Sequence, residues 1–218
     1  MLAAMSCSRS EAPVRSAEPA STSAPASPNA TVDKPSTPRI VVLGDSLTAG
    51  LGIPREQAYP AVLQRKLKDA GIDLEVINAG ISGDTTADGL RRVNWALEGD
   101  IRLLIVALGA NDGLRGLPPS QMKANLQGII HRARQRGIPV LLAGMEAPPN
   151  YGEQYATAFR QVFQDLAREN KVTFVPFLLD GVAGVPDMNQ GDGVHPTAAG
   201  AARIADHLWP TVQSMIGK

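Results

Sequence analysis

The chain has 218 residues, 44% of them hydrophobic, and its 21 Lys and Arg balance 21 Asp and Glu for a formal net charge of zero. That composition belongs to a globular protein and excludes a strongly basic nucleic-acid binder. A single cysteine, Cys7, excludes an internal disulfide, three scattered histidines are too few for a metal site, and no apolar run is long enough to span a bilayer.

The first residues differ in kind from the rest. Met1-Leu2-Ala3-Ala4-Met5-Ser6-Cys7 is apolar and small and ends in cysteine. Residues 8–38 are rich in Ser, Pro, Ala and Thr and show no periodicity. Such a stretch buries too little surface to offset its ordering entropy, so 1–38 is expected to be a disordered segment and 39–218 the folded domain. The pairing is similar to the end of a bacterial lipoprotein signal peptide. That resemblance implies lipidation at Cys7, a membrane association through the lipid anchor and a periplasmic or membrane-tethered location. A basic leader and a full apolar stretch are missing, so a stray cysteine in an arbitrary N-terminus is the alternative.

From Arg39 the pattern alternates. Ile40-Val41-Val42-Leu43 is a buried strand stopped by Gly44, and Gln57 to Ala70 is an amphipathic helix. Leu74 to Ile77 is a second strand, Thr85 to Leu97 a helix, and Leu103 to Leu108 a third strand, apolar throughout and therefore covered on both faces. Ser120 to Gln135 is a helix, with Ser120 as its cap and a solvated basic end at His131 to Arg136. Pro139 to Ala143 is a fourth strand, Tyr151 to Asn170 a helix and Val172 to Val175 a fifth strand, and Thr197 caps a last helix running to about Met215. Five strands alternating with helices specify an α/β fold: a three-layer α/β/α sandwich around a five-stranded parallel sheet. In such sheets the ligand crevice lies at the carboxyl ends of the strands.

The unusual residues sit in the loops at that edge. Gly44-Asp45-Ser46-Leu47-Thr48 places a serine on a tight strand-to-helix turn, where backbone N–H groups also face outward. Asn78 to Thr85 holds two glycines within four residues, with Asp84 or Thr85 capping the next helix. Gly109-Ala110-Asn111-Asp112-Gly113 puts an amide donor directly after a buried strand, where it can stabilise an oxyanion or serve as an ordinary turn. Asp192-Gly193-Val194-His195-Pro196 places a carboxylate three residues before a histidine, the spacing of an oriented base. The other serines and histidines of the folded region are worse placed. Ser120 sits at a helix start, Ser214 and His207 lie in the last helix and His131 in the basic one, so Ser46 with His195 is the pair that shares the crevice.

Gly44-Asp45-Ser46-Leu47-Thr48-Ala49-Gly50-Leu51-Gly52, Ile81-Ser82-Gly83-Asp84-Thr85-Thr86, Leu108-Gly109-Ala110-Asn111-Asp112-Gly113-Leu114-Arg115-Gly116 and Asp192-Gly193-Val194-His195-Pro196 follow one another in this order. Together they resemble the SGNH (GDSL) hydrolase family, and within it the bacterial thioesterase I, lysophospholipase and arylesterase group. The resemblance runs from about Arg39 to the C-terminus and implies a flavodoxin-like sheet and a serine esterase. It implies Ser46 as nucleophile, His195 as base, Asp192 as its orienting carboxylate, and an oxyanion hole from the Ser46 and Gly83 N–H groups and the Asn111 side chain. It also implies a mobile substrate segment over Asn111 to Leu117, with Gly113 and Gly116 providing freedom. Asp45, Leu47, Asp112, Leu114 and Leu117 are expected to meet substrate, with Met145 or Pro148 beside them. No cofactor or metal is expected, and the partner is a small acyl ester or lipid. A carbohydrate acetylesterase of the same fold and a non-catalytic binding module are the competing readings.

Overall fold

The structure, a computed structural model, describes residues 37–217. Its first strand, β1 (Arg39–Gly44), is buried along almost its whole length. It is flanked by β2 (Glu75–Gly80) and β3 (Ile101–Ala107), both parallel to it. β4 (Val140–Ala143) and β5 (Thr173–Val175) extend the sheet beyond β3, giving the order β2-β1-β3-β4-β5. β1, β3 and β4 consist of Val, Ile, Leu and Ala, with Gly44 at the end of β1, wherever they are buried, because a parallel strand with helices on both sides has no polar face. β2, at the edge, keeps mostly half-buried positions.

The helices form the two outer layers. α1 is a single turn (Ser46–Ala49), and a short 3-10 turn at Arg55–Gln57 leads into α2 (Tyr59–Asp69). α3 (Thr86–Ala96) follows β2, the short α4 (Ala110–Leu114) follows β3, and α5 (Pro119–Gln135) leads into β4. α6 (Glu153–Asn170) precedes β5, and α7 (Ala198–Ile216) closes the domain. α2 packs on α7 in one layer, while α3, α5 and α6 pack on one another in the other. The core between them includes Leu63, Leu67, Ile129, Ile130, Phe159, Phe163, Ile204 and Leu208, all essentially inaccessible. Truncating one such side chain costs about 2–5 kcal/mol, a large part of a domain's net stability.

Local chemistry sets the element ends. Thr85 caps α3 in a reciprocal box with Asp88, and Thr197 caps α7 by accepting from the Gly200 N–H. Ser120 is not a cap: Pro118 holds that position, and Ser120 lies inside the first turn of α5. The basic cluster at the end of α5 has a structural use. Arg132, Arg134 and Arg136 donate to the carbonyls of Leu90, Asn170 and Leu97, satisfying main-chain groups of α3, of the α6 terminus and of the residue after α3. Among the described residues no helix is long and apolar enough to cross a membrane, and no group of three or more His, Cys, Asp or Glu could hold a metal ion.

Gly80 ends β2 where the turn bearing Ser46 crosses it. A Cβ there would lie 2.8 Å from the Asp45 carbonyl and press on the Ala49 backbone. Gly80→Ala is therefore expected to destabilise the domain by about 1–3 kcal/mol, read as a lower urea midpoint. An unchanged midpoint would show that the two backbones can part freely.

Candidate active site

Loops leaving the carboxyl ends of β1, β2 and β3, and the longer connection after β5, converge on one point. Ser46 opens α1, with Asp45 as N-cap, so its own N–H has no place in the helical ladder. Its Oγ lies 2.9 Å from Nε2 of His195, across 149 positions of sequence. Nδ1 of His195 lies 2.6 Å from Oδ2 of Asp192. The other carboxylate oxygen, Oδ1, accepts the main-chain N–H groups of Val194 and His195, each at 2.9 Å. The His195 main-chain N–H, then its ring and the Val194 N–H hold the Asp192 carboxyl well below the usual carboxylate range. Asp192 is thus an anion at any pH near neutrality, although it is exposed.

The loop after β2 turns at Ile81–Asp84, with the Asp84 N–H on the Ile81 carbonyl. Gly83 sits there at φ +87°, a conformation that favours glycine. The Asn111 side-chain amide donates to the Asp84 carbonyl at 3.0 Å, so one of its two hydrogens fixes this loop and the other remains free. Among the described residues no protein acceptor takes the N–H of Ser46 or of Gly83. The Ser46 N–H, the Gly83 N–H and one Asn111 amide hydrogen are therefore left without a protein acceptor among the described residues.

Beside them lies a cavity of about 380 Å³, lined by Leu47, Ala110, Leu114, Met145, Phe177 and Val194 among others, and mainly apolar. Pro148 also lines it. A larger cavity, about 630 Å³, opens near the start of β3 and the end of α7 around Ile72, Leu74 and Met215, with no serine or histidine in its wall. The chemistry therefore belongs to the smaller one.

Three of the residues expected to meet substrate lie outside the cavity lining. Asp45 is buried, with Oδ1 on the Leu47 N–H. Asp112 is buried too, and accepts both the N–H and the hydroxyl of Thr86, at 2.8 and 2.6 Å, fastening α4 to the start of α3. Leu117 lies outside the cavity lining, and its carbonyl accepts the Tyr155 hydroxyl. Asp45 is taken up by the cap of its own helix and Asp112 by Thr86, 26 positions away. Gly113 and Gly116, expected to provide freedom, are where aromatic rings approach the backbone: Phe159 at the first, Tyr151 at the second.

Other residues hold the site together without any signal in the sequence. Arg92 of α3 pairs with Asp84 at 2.7 Å and donates to the Gly44 carbonyl at 2.8 Å, tying the loop after β2 to the end of β1. Arg115 donates to the Gly83 carbonyl at 2.8 Å. Gln190 donates to the carbonyls of Leu51 and Pro196, at 2.7 and 2.9 Å, bridging the histidine loop to the segment after α1. Each is a charged or amide side chain that finds a distant carbonyl, which no local spacing announces.

A serine, an imidazole and a carboxylate in a hydrogen-bonded row, beside outward N–H groups and an apolar cleft on a parallel sheet, define the class of serine hydrolases. Comparison with known proteins narrows the class. Residues 42–203 match the GDSL-like lipase/acylhydrolase family. Esterase TesA of Pseudomonas aeruginosa is 44% identical over 178 residues, 81% of this chain and 89% of the relative. A crystal structure of TesA covers 82% of this chain and 99% of its own, with a TM-score of 0.78. An arylesterase of Vibrio mimicus is 39% identical over 78% of this chain and 86% of its own length. The thioesterase 1/protease 1/lysophospholipase of Escherichia coli is 36% identical over 81% of this chain and 84% of its own. The chain belongs to the GDSL-like lipase/acylhydrolase family and is a carboxylic ester hydrolase acting on small ester or lipid substrates.

Because Asp112 answers two buried donors of Thr86, Asp112→Ala should cost about 1–3 kcal/mol of stability in urea unfolding. Asp112→Asn keeps one acceptor and should cost less. Equal stability of both variants with the parent would show that water replaces the carboxylate.

Proposed function

We propose that Ser46 is the nucleophile and His195 its general base in hydrolysis of aryl and of short to medium acyl esters, extending to acyl thioesters and lysophospholipids. The observation that carries this reading is the row Ser46 Oγ, His195 Nε2, His195 Nδ1, Asp192 Oδ2, with spacings of 2.9 and 2.6 Å. His195 takes the Ser46 proton as the hydroxyl oxygen bonds to the acyl carbon. The carbonyl oxygen becomes an oxyanion, which the N–H groups of Ser46 and Gly83 and the Asn111 amide receive. The tetrahedral intermediate collapses, His195 returns its proton to the departing alcohol or thiol, and an acyl-serine remains. Water then repeats the sequence and releases the acid. Asp192, ionised throughout, keeps the ring in the tautomer that presents bare Nε2 to the serine.

The cavity supports the substrate class. Its apolar lining suits an acyl chain, and at about 380 Å³ it lies toward the small end of ligand sites. A carbohydrate acetylesterase would need polar side chains there to grip sugar hydroxyls, and the lining is mainly apolar. The names of the relatives support aryl ester, thioester and lysophospholipid turnover. The N-terminal pattern ending in Cys7 supports a lipid tether and a periplasmic or membrane-tethered location; Cys7 lies outside the described residues. Mass spectrometry of the protein from its native host tests this, and an unmodified Cys7 behind an intact Met1 would refute it.

Ser46→Ala should abolish ester hydrolysis with the fold retained, and a fluorophosphonate should label Ser46 in the parent alone. Residual turnover at parental rate would refute the assignment. Asn111→Ala should lower kcat by about 10²–10³, with KM little changed. Across nitrophenyl esters from acetate to laurate, kcat/KM should rise and then drop once the cleft is full.

A further inference from the structure

His195 and Asp192 sit on a loop that closes on itself. The Gln190 N–H donates to the His195 carbonyl at 2.7 Å, and the Gly193 N–H donates to the Gln190 carbonyl at 2.9 Å. Asn189 forms an antiparallel bridge with Pro196. The loop therefore holds its own shape, but its place over Ser46 needs other ties. Among the described residues, two hydrogen bonds join residues 186–197 to anything that precedes β5. One is the bond between His195 Nε2 and Ser46 Oγ. The other runs from the Gln190 side-chain amide to the Leu51 carbonyl at 2.7 Å.

The second bond ends close to the nucleophile. The Leu51 N–H donates to the Ser46 carbonyl at 3.1 Å, so Leu51 is fastened to the serine turn. The same Gln190 amide donates to the Pro196 carbonyl at 2.9 Å, one residue past His195. Both acceptors are carbonyls, so the NH2 group faces them and both its hydrogens are used. The amide also lies against Gly52, where a Cβ would collide with it.

The two ties fare differently during the reaction. Once Ser46 is acylated, its Oγ is an ester oxygen with no hydrogen to donate, and the bare Nε2 of neutral His195 has none either. The bond between them is then gone, at the stage when His195 has to activate a water beside the acyl carbon. Of the two, the bond from Gln190 to Leu51 survives acylation.

We propose that Gln190 is a positioning residue for deacylation, keeping His195 over the serine turn while the acyl group occupies Ser46. This rests on the assignment of Ser46 and His195 given above. In that step the water oxygen bonds to the acyl carbon and its proton passes to Nε2. The bond from the acyl carbon to Oγ then breaks, Oγ takes the proton from His195, and the acid leaves. Gln190 takes no proton itself. It sets the distance over which the base works, and misplacing a base costs rate steeply.

Gln190→Met keeps the length of the side chain and removes its donors, while Gln190→Glu keeps the shape and turns an oxygen toward both carbonyls. With nitrophenyl butyrate, both should lose about ten- to a hundredfold in kcat, with KM falling in step and kcat/KM within about twofold of the parent. Acyl-enzyme should accumulate, seen as a burst of nitrophenolate and as acylated chain by intact-mass spectrometry. A fluorophosphonate, which needs only the first attack, should label Ser46 in both variants at close to the parental rate, which also reports that they fold. A loop merely loosened would lower kcat and kcat/KM together without accumulating acyl-enzyme. That result overturns the proposal, as do a parental kcat and loss of labelling in both variants. A labelled parent alongside indifferent variants removes the role of Gln190 alone, whereas a parent unlabelled at Ser46 removes the nucleophile assignment with it.

Discussion

β1 is hydrogen-bonded on both sides to parallel strands, β2 and β3, and everything chemical in the domain depends on that pairing. Parallel neighbours end at the same edge, so the loops after all three strands leave side by side. The chain order reverses across β1, with β2 on one side and β3 on the other, which opens a crevice at that point. The serine turn, the Gly83 turn and the Asn111 helix are the three loops that leave there. The connection after β5 crosses back to deliver His195, and Gln190 holds it to the segment after α1. Gly80 matters in the same terms, because the serine turn rides directly on the end of β2.

Two carboxylates of the site, Asp192 and Asp45, occupy opposite environments. Asp192 is exposed and accepts three hydrogen bonds, which favour its charged form. Asp45 is buried with one bond, and desolvation disfavours its charge. The same chemical group is thus set low in one place and high in another by counting donors and water. Ion pairing in the site is structural: Arg92 with Asp84 fixes the loop after β2, where partial burial protects the pair from screening.

Much of the fold was legible in the chain. Short apolar runs located all five strands within a few residues, and Thr85 and Thr197 announced their helices. The two single-turn helices were not visible: α1 and α4 are too short to show a period, and they read as loops. Asp45 and Asp112 are expected from the motifs to meet substrate, but motif position says nothing of which way a side chain turns. In the structure each turns inward, one to cap its own helix and one to answer Thr86. Gly113 and Gly116 suggested freedom, whereas Phe159 and Tyr151, distant in sequence, take the space a Cβ would occupy.

The sequence by itself determined what depends on near neighbours: the strand and helix periods, the caps, the α/β class, and the residue types that acyl transfer requires. It could do so because those properties are set within about a turn or a strand of chain. Tertiary structure alone decided which side chains meet. The 2.9 Å approach of Ser46 and His195, the reach of Arg92 to Gly44 and the walls of the apolar cleft each join segments tens of residues apart or more. Closing such distances is the work of sheet pairing and core packing, and no local pattern encodes the result. Whether the carboxylate next to Ser46 faces the crevice or the interior belongs to that second kind of fact.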